Sequence, residues 1–430
     1  MNYRYANPVL AGLTVALCLS LIFSADARAE FNLTWYASST NVNSDPEDLI
    51  EDGISRAIVY NGTDDVQASL DNAQRYLDRA AVAGVDVILG MSRDVVQFRE
   101  FGTLTQYVNQ FKDHSALVGW YIYDEPNFGI DAPDARAAYN VIKFFSGKPV
   151  YGAFSSRNPD NVQNRFADSH DQMASFFYPA NIGDAEFEGL ESVGSTPGWK
   201  EYTAQSALTA RLNGKAWHSV VQAYGIDRDR NDPRDFRLPT RAELRFMTYY
   251  SIVAHDADSV AYWARYRTDG SDALADEAYS RNGFDWRRFV FKPLVEEFNT
   301  HLAAAVDAGA LRGDVSSSDP GDVHVDLYQD PDTGKYYLIT VNDESQSRSA
   351  TITFDINPEL ELRDVYAIDG SQTLALTDNQ FQIELGAYEV QSFEVRLIPE
   401  PSTLVLMLPS LLLIHRRGKR KDISPDYFNF

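Results

Sequence analysis

Short apolar runs alternate with segments of helical periodicity between residues 31 and 302. A short apolar run predicts a strand, and near-continuous apolar character is typical of parallel strands that are covered on both faces. Strands that alternate with helices in this way favour an α/β fold with a parallel sheet. We predict eight strands, at residues 31–36, 54–60, 85–91, 117–125, 149–154, 173–178, 216–224 and 259–263.

The segments between these strands carry helix signals. The stripe from Val66 to Ala80 repeats apolar residues every three or four positions, and Gly84 follows it as an expected C-terminal stop. Thr240 and Glu243 have the spacing of a capping box at the start of another helix. Eight strand and helix units predict a (β/α)8 TIM barrel over residues 30–309. A doubly wound sheet would need a glycine-rich turn after the first strand, and the sequence has none there.

The pattern changes after residue 310. Short strand-like runs and turn residues follow one another without helical periodicity, as at 336–341, 350–356 and 381–385. Runs of this length and spacing are typical of antiparallel sheets. We therefore predict a small antiparallel β-sandwich at 310–398, after the barrel.

The first 29 residues have the three parts of a secretory signal peptide. Arg4 gives a positive start, residues 9–23 form an apolar segment, and residues 27–29 offer a small-residue cleavage site. We expect cleavage after Ala29 and export of the remaining chain. Cleavage there would also remove the only cysteine, Cys18.

The other end combines a Pro-Glu-Pro sequence at 399–401, an apolar stretch at 402–414 and a basic cluster at 416–421. An apolar helix of this length covers about 20 Å, less than the ~30 Å hydrocarbon core of a bilayer. The order resembles the PEP-CTERM sorting signal of Gram-negative bacteria, at 399–421, followed by a polar tail at 422–430. The resemblance implies transient membrane contact, processing by an exosortase-type enzyme, and a final place outside the cell or in its envelope. A short tail anchor is the alternative.

Composition argues against several classes of function. A formal net charge of −24 opposes binding of nucleic acid by the general surface. The seven histidines show no metal-ligand spacing, so we expect no catalytic metal. The sequence has neither a phosphate-binding loop nor a Gly-x-Ser-x-Gly elbow, and we expect no cofactor.

The fourth predicted strand ends in two adjacent acids. Its apolar run passes into Asp124 and Glu125, and the following Pro126 cannot extend a strand ladder. Both carboxylates should therefore lie at the C-terminal end of a barrel strand, where TIM barrels carry their chemistry. Strict alternation puts Glu125 on the same face as Tyr121 and Tyr123, and we expect that face to line the barrel.

Aromatic residues lie at the ends of other predicted strands. Aromatic rings are good platforms for the apolar face of a sugar, because they offer a large area with little entropy to lose. Together with the acid pair and the appended sandwich, they indicate that the barrel mouth binds a polysaccharide. The expected ligand contacts are these aromatic residues, Trp35, Tyr178, Tyr224 and Trp263, together with Tyr123 of the fourth strand and Gln222.

The motifs at 120–126, 220–225, 239–245 and 260–263 resemble bacterial proteins related to clan A glycoside hydrolases. In that clan the fourth strand ends in Asn-Glu-Pro, and its glutamate is the catalytic acid/base. The resemblance implies that Glu125 is the proton donor, that Asp124 takes the place of the asparagine, and that Trp263 is the clan's eighth-strand tryptophan. The implied activity is hydrolysis of an O-glycosidic bond in an extracellular or envelope polysaccharide.

One position departs from the clan. Retaining members take a nucleophilic glutamate from the end of the seventh strand, where this chain has Gln222. An amide is a poor nucleophile, and glycoside hydrolysis ordinarily needs a second carboxyl group. An inverting base could come from Asp227 or Asp229, or Asp124 could steady a substrate acetamido group, as in family 20 hexosaminidases. The third alternative is a non-catalytic glycan-binding or matrix protein that keeps Gln222 as a hydrogen-bonding residue.

Overall fold

The computed structural model describes residues 31–37, 46–61, 65–126, 129–155, 160–181, 184–194, 196–225, 236–263, 286–356 and 360–399. Within these ranges, eight parallel strands close into a barrel in chain order. The predicted TIM barrel is confirmed. Its strands are Asn32–Ala37 (β1), Arg56–Val59 (β2), Asp86–Gly90 (β3), Leu117–Asp124 (β4), Val150–Ser155 (β5), Gln172–Phe176 (β6), Ala216–Gln222 (β7) and Ser259–Trp263 (β8).

Helices pack around the barrel and connect its strands. They are Pro46–Glu51 (α1), Val66–Ala83 (α2), Arg93–Gln97 (α3), Phe101–Phe111 (α4), Ala132–Phe145 (α5), Asp160–Phe166 (α6), Trp199–Leu212 (α7), Arg241–Val253 (α8), Lys292–Glu297 (α9) and Ala303–Ala308 (α10). Short 3₁₀ turns occupy Ala167–Ser169 and Glu188–Leu190, and π-helical turns occupy Arg287–Phe291 and Phe298–Leu302.

Two of the predicted helix signals have the expected geometry. Gly84 ends α2 in the left-handed conformation, with φ of 75°, which a residue without Cβ adopts at little cost. At the start of α8, the Glu243 N–H donates to Thr240 Oγ1 at 3.1 Å, and the Thr240 N–H donates to the Glu243 carboxylate at 2.8 Å. The capping box is therefore confirmed, and it fixes the beginning of the helix that follows β7.

The barrel separates two apolar clusters. Residues that point outward from the strands pack with the helices in the larger core. Residues that point inward form a smaller core along the barrel axis. The inward-pointing core consists of Tyr36, Ile58, Ile88, Tyr121, Tyr151, Ala153, Ala174, Val220 and Ala261.

Strand β4 contains a bulge that changes which face its last residues present. Tyr121 pairs with Tyr151 of β5, whereas Tyr123 pairs with the next residue, Gly152, so β4 has one extra residue at this point. Tyr121 belongs to the interior core, and Tyr123 belongs to the outer core. The prediction that Tyr123 lines the barrel is wrong, because one extra residue reverses the alternation of a strand. The same reversal brings Asp124 to the inner face.

Two antiparallel sheets follow the barrel and enclose a core of their own. Their strands are Val315–Ser317 (β9), Val323–Gln329 (β10), Tyr336–Asn342 (β11), Arg348–Phe354 (β12), Leu360–Ala367 (β13), Thr373–Leu374 (β14), Gln380–Leu385 (β15) and Val390–Pro399 (β16). The larger sheet has the order β10-β11-β16-β13-β14, and the smaller one has the order β15-β12-β9. The predicted β-sandwich after the barrel is confirmed.

The larger sheet packs on the barrel through α8. Apolar side chains of β11 and β16 join the outer core of the barrel. Arg245 of α8 donates to the Val390 carbonyl at 3.3 Å and to Ser392 Oγ at 3.0 Å. The Tyr388 hydroxyl donates to the Glu191 carboxylate at 2.6 Å. On the barrel side of this contact, Glu191 belongs to the loop that follows β6.

The predicted signal peptide at 1–29 and the polar tail at 422–430 lie outside the described residues. The same holds for the predicted sorting signal, except for its first residue, Pro399, which ends β16. Within the described part of the chain, no helix is long and apolar enough to cross a membrane.

Candidate active site at the barrel mouth

The acid pair lies at the C-terminal end of β4, as predicted. Asp124 is the last residue of the strand, and Glu125 follows it with φ of 44°, in the left-handed region that few residues other than glycine adopt. The Glu125 N–H donates to the Ala153 carbonyl of β5 at 3.1 Å, which anchors this turn. Uncommon backbone conformations of this kind concentrate at functional sites. The chain therefore turns sharply between two carboxylates at the mouth.

Three tyrosine hydroxyl groups surround the Asp124 carboxyl group. Tyr60 donates to Asp124 Oδ2 at 2.5 Å. The Tyr60 oxygen also lies 3.2 Å from the Tyr36 hydroxyl and 3.3 Å from the Tyr121 hydroxyl. Because a hydroxyl group carries one hydrogen, Tyr60 donates either to Asp124 or to Tyr36, and it can accept from Tyr121 at the same time. Tyr36 lies near the end of β1, Tyr60 follows β2 and Tyr121 lies in the middle of β4, so the fold brings them together from distant parts of the chain.

Asp124 titrates in an unusual range. Burial raises the pKa of its carboxyl group to about 7, the Tyr60 hydrogen bond opposes this rise, and the nearby Glu125 carboxylate adds to it. Its second oxygen, Oδ1, is buried and has no hydrogen-bond partner among the described residues. A carboxyl group that titrates near neutral pH and keeps one oxygen unpaired is suited to work on a ligand.

Arg93 is the first residue of α3, which follows β3 and therefore begins at the same end of the barrel as the acid pair. Its Nε and Nη2 atoms are buried and have no hydrogen-bond partner in the part of the chain that the structure describes. Burial dominates the raised pKa of Asp124, and the positive charge of Arg93 is the last of the influences that lower it. Arg93, Tyr36 and Tyr60 are not among the site residues predicted from the sequence.

Two of the predicted aromatic residues, Trp263 and Tyr178, keep part of their surface exposed at the barrel mouth. Trp263 is half-buried and packs edge-on against Tyr36, with ring centroids 4.7 Å apart. Tyr178 is also half-buried, and its ring stacks on Phe176 at 5.4 Å and contacts Tyr224 edge-on at 5.0 Å. Tyr224 itself is only 4% exposed. Trp263 and Tyr178 are therefore the predicted aromatics with surface to offer a sugar ring.

Trp35 does not lie at the mouth. It is 1% exposed, its ring packs on Phe291 at 4.5 Å, and its Nε1 donates to the buried Asp52 carboxylate at 3.2 Å. The neighbouring Tyr36 takes the inward position instead. Trp35 does lie near the end of β1, as predicted. Its side chain points outward from the barrel, because side chains alternate along a strand, so the predicted sugar contact is wrong.

Tyr123 also has a structural role, because its side chain is buried away from the mouth. It is 2% exposed, and its hydroxyl group lies 3.0 Å from Ser169 Oγ and 2.6 Å from His170 Nδ1. Its ring covers Gly152, where an added Cβ would lie 2.4 Å from the ring carbon that bears the hydroxyl group. Tyr123 therefore links β4 to the turn before β6 and has no surface at the mouth.

Gln222 ends β7 beneath the neighbouring loops. Its side chain is fully buried, and its Oε1 accepts from the Ala180 N–H at 2.9 Å. Its Nε2 lies 3.1 Å from the Ala180 carbonyl, 3.1 Å from the Tyr224 carbonyl and 2.9 Å from the Arg237 carbonyl. The amide thus joins three backbone segments, and each end of it is satisfied. The alternative inverting bases Asp227 and Asp229 lie outside the described residues.

Among the described residues, one group of acids has the spacing of a cation site, and it lies in the β-sandwich. Asp322, Asp343 and Glu344 place one carboxylate oxygen each within 4.8 Å of the others. Arg348 donates to the Asp322 carboxylate at 2.5 Å and already supplies a positive charge there. We assign this group no part in the chemistry considered below.

Comparison of the sequence with protein-family models and with curated proteins finds no match. Solved structures match over most of the chain. A family 30 subfamily 8 xylanase from Clostridium acetobutylicum is 11% identical, with a TM-score of 0.51 over 85% of this chain and 96% of that chain. A glycoside hydrolase is 13% identical, with a TM-score of 0.56 over 85% and 92%. An α-amylase from Anoxybacillus is 10% identical, with a TM-score of 0.51 over 85% and 97%.

At these identities the likeness shows the fold alone. The chain shares with these glycoside hydrolases an eight-stranded parallel barrel, and the alignments extend over nearly the whole of each neighbour. One barrel fold supports many chemistries, so the activity has to be argued from the residues at the mouth.

Proposed function

We propose that the protein is a glycoside hydrolase that cleaves an O-glycosidic bond in an extracellular or envelope polysaccharide. The observation that carries the proposal is the Asp124–Glu125 pair at the mouth, where burial raises the pKa of Asp124 to about 7 and the second carboxylate lies next to it. A pair of carboxyl groups beside the scissile bond is the usual machinery of glycoside hydrolysis. The half-buried rings of Trp263 and Tyr178 would hold the sugar beside this pair.

Glu125 acts as the proton donor in this proposal. It gives its proton to the glycosidic oxygen as the bond from that oxygen to the anomeric carbon breaks. A positioned general acid typically accelerates such a step by ~10²–10⁴-fold. Because the Gln222 amide is held by three backbone segments, we do not assign it the part of a nucleophile.

The second group in the proposed mechanism is Asp124. Its unpaired Oδ1 accepts the N–H of a substrate acetamido group, whose carbonyl oxygen bonds to the anomeric carbon as the leaving group departs. Water then attacks the anomeric carbon, Glu125 takes a proton from it, and the acetamido group is restored. This route retains the anomeric configuration. A product of inverted configuration would exclude it and favour a base from Asp227 or Asp229.

The decisive experiment uses the fragment from residue 30 to residue 398, incubated with bacterial, algal and plant polysaccharides that include amino-sugar polymers. New reducing ends are measured for the wild type and for Glu125→Gln, with circular dichroism as the control for folding. We expect the wild type to cleave one polymer and the folded variant to lose turnover by ~10²–10⁴-fold. Equal cleavage by both proteins would exclude Glu125 as the acid.

The second candidate function is glycan binding without cleavage. It is favoured by one observation, namely that the amide at the end of β7 replaces the carboxylate that a retaining hydrolase would use. In the same experiment, retention of a polymer without new reducing ends would support this function over hydrolysis.

We also propose that the protein is exported and acts outside the cytoplasm, with exosortase-type processing at its C-terminal end. The signal-like sequence at 1–29 and the resemblance of 399–421 to a sorting signal support this. The intact mass of protein isolated from the producing cells tests it. A mature chain that still contains both segments would contradict the proposal.

A further inference from the structure

The side chain of Arg93 leaves one whole edge of its guanidinium group without partners. Its Nε and Nη2 atoms, whose hydrogens point the same way, are both buried and unpaired among the described residues. Unmet buried donors are costly, and more so when they carry charge. Such a group in a native protein calls for a partner that binds there.

Other buried arginines differ in this respect. Three of them also have a buried Nε atom without a partner, but in each the Nη2 atom contacts a carboxylate. These pairs are Arg56 with Asp86, Arg287 with Asp52, and Arg348 with Asp322. Among the described residues, Arg93 is thus the arginine with both atoms of this edge buried and unpaired.

The same edge of another arginine shows what it binds. In Arg79, Nε donates to Glu47 Oε1 at 3.3 Å, and Nη2 donates to Glu47 Oε2 at 2.7 Å. This two-point contact matches the planar geometry of a carboxylate, and a single hydroxyl group cannot make it. A carboxylate is therefore the chemistry that would satisfy Arg93.

We propose that Arg93 binds the carboxylate of an acidic sugar, so that the polysaccharide recognised at the mouth contains uronic acid. The inference rests on the proposed function and names its substrate class. The acidic sugar is a neighbour of the unit that is cleaved, because Arg93 follows β3 whereas the acid pair ends β4. The net charge of −24 repels a polyanion in general, so recognition depends on this local cation.

Binding of single sugars tests the proposal without turnover. The wild type is titrated with glucuronate, galacturonate and mannuronate, and with glucose, galactose and mannose as neutral partners. The readouts are the dissociation constants and the ¹⁵N–¹H signal of the Arg93 Nε–H group, which Arg93→Lys identifies by its loss. Arg93→Gln removes the charge, and Arg75→Gln, at an exposed arginine of α2, is the matched control.

We expect one uronate to bind the wild type about tenfold more tightly than its neutral partner and to shift the Arg93 signal. Arg93→Gln should lose this preference, Arg93→Lys should keep part of it, and Arg75→Gln should keep it all. The proposal is overturned if no uronate shifts the signal, or if Arg93→Gln binds uronates as well as the wild type.

Failure of this inference differs from failure of the proposed function. Cleavage of a neutral glycan at equal rates by the wild type and Arg93→Gln would overturn the inference and leave the hydrolase standing. Uronate binding that depends on Arg93, without cleavage of any polymer, would support the inference and count against the hydrolase.

Discussion

Two strand ends at the barrel mouth carry polar side chains of similar size, and their surroundings differ. At the end of β4, Asp124 keeps one oxygen unpaired, and the nearby Arg93 keeps a whole edge unpaired. At the end of β7, the Gln222 amide contacts three backbone segments. Unpaired buried groups indicate a place that a ligand completes, whereas a satisfied amide indicates a place that the fold completes. We therefore assign chemistry to the first strand end and architecture to the second.

The largest effect on stability is expected from Gln222→Glu. At neutral pH a carboxylate would face the carbonyl oxygens of Ala180, Tyr224 and Arg237, which the amide now serves as a donor. We expect the free energy of unfolding to fall by roughly 3 kcal/mol. Urea denaturation at pH 8 measures this, and Gln106→Glu at an exposed position of α4 is the matched control. A variant as stable as the wild type would contradict the structural role that we assign to Gln222.

The next effect concerns Asp124→Asn and depends on pH. Burial raises the pKa of Asp124 to about 7, above the ~3.9 of an unfolded chain. The native state therefore holds this proton more tightly, so the group contributes stability that is complete below pH 4 and is lost as the pH rises to 7. The stability of the variant does not fall in this way as the pH rises, because asparagine is neutral and its carbonyl can still accept from Tyr60.

Thermal unfolding at pH 5 and pH 8 checks this prediction. We expect Asp124→Asn to raise the melting temperature relative to the wild type more at pH 8 than at pH 5. Equal changes in melting temperature at both pH values would show that the pKa of Asp124 is not raised. The contrast with Gln222 would then lose its electrostatic basis.

The smallest effect is expected from Tyr123→Phe. This change removes the hydroxyl group that contacts Ser169 and His170 outside the barrel. One buried hydrogen bond contributes about 1 kcal/mol, so the free energy of unfolding should fall by about that amount. Turnover should stay at the level of the wild type. A large loss of turnover without loss of stability would return Tyr123 to the site.

The sequence predicted the architecture because its signals are local. Apolar runs, helix stripes and the capping box at Thr240 and Glu243 each depend on residues a few positions apart, and they were sufficient for the barrel and the sandwich. Strand β9 escaped prediction because residues 314–322, rich in serine and aspartate, have the composition of a loop. Strand β10 also escaped, although Val323, Val325 and Leu327 alternate with polar residues as in a half-buried strand.

Side-chain placement at the mouth was less predictable, because it depends on pairing between strands. The bulge in β4 arises where Tyr123 lies over Gly152 of β5, and it alone decides that Asp124 points inward. The inward positions of Tyr36 and Tyr60 had a signal, since both are the last residues of predicted strands. The partners of Gln222 and the unpaired edge of Arg93 had none, because they depend on segments that meet only in the folded chain.

The most direct test measures hydrolysis and urea unfolding on three proteins in parallel: the wild type, Glu125→Gln and Gln222→Glu. We predict that Glu125→Gln loses turnover and keeps the unfolding midpoint, whereas Gln222→Glu shifts the midpoint to lower urea. The assignment of chemistry to β4 and of architecture to β7 would be contradicted if Gln222→Glu kept its stability and gained turnover, or if Glu125→Gln remained as active as the wild type on a polymer that the wild type cleaves.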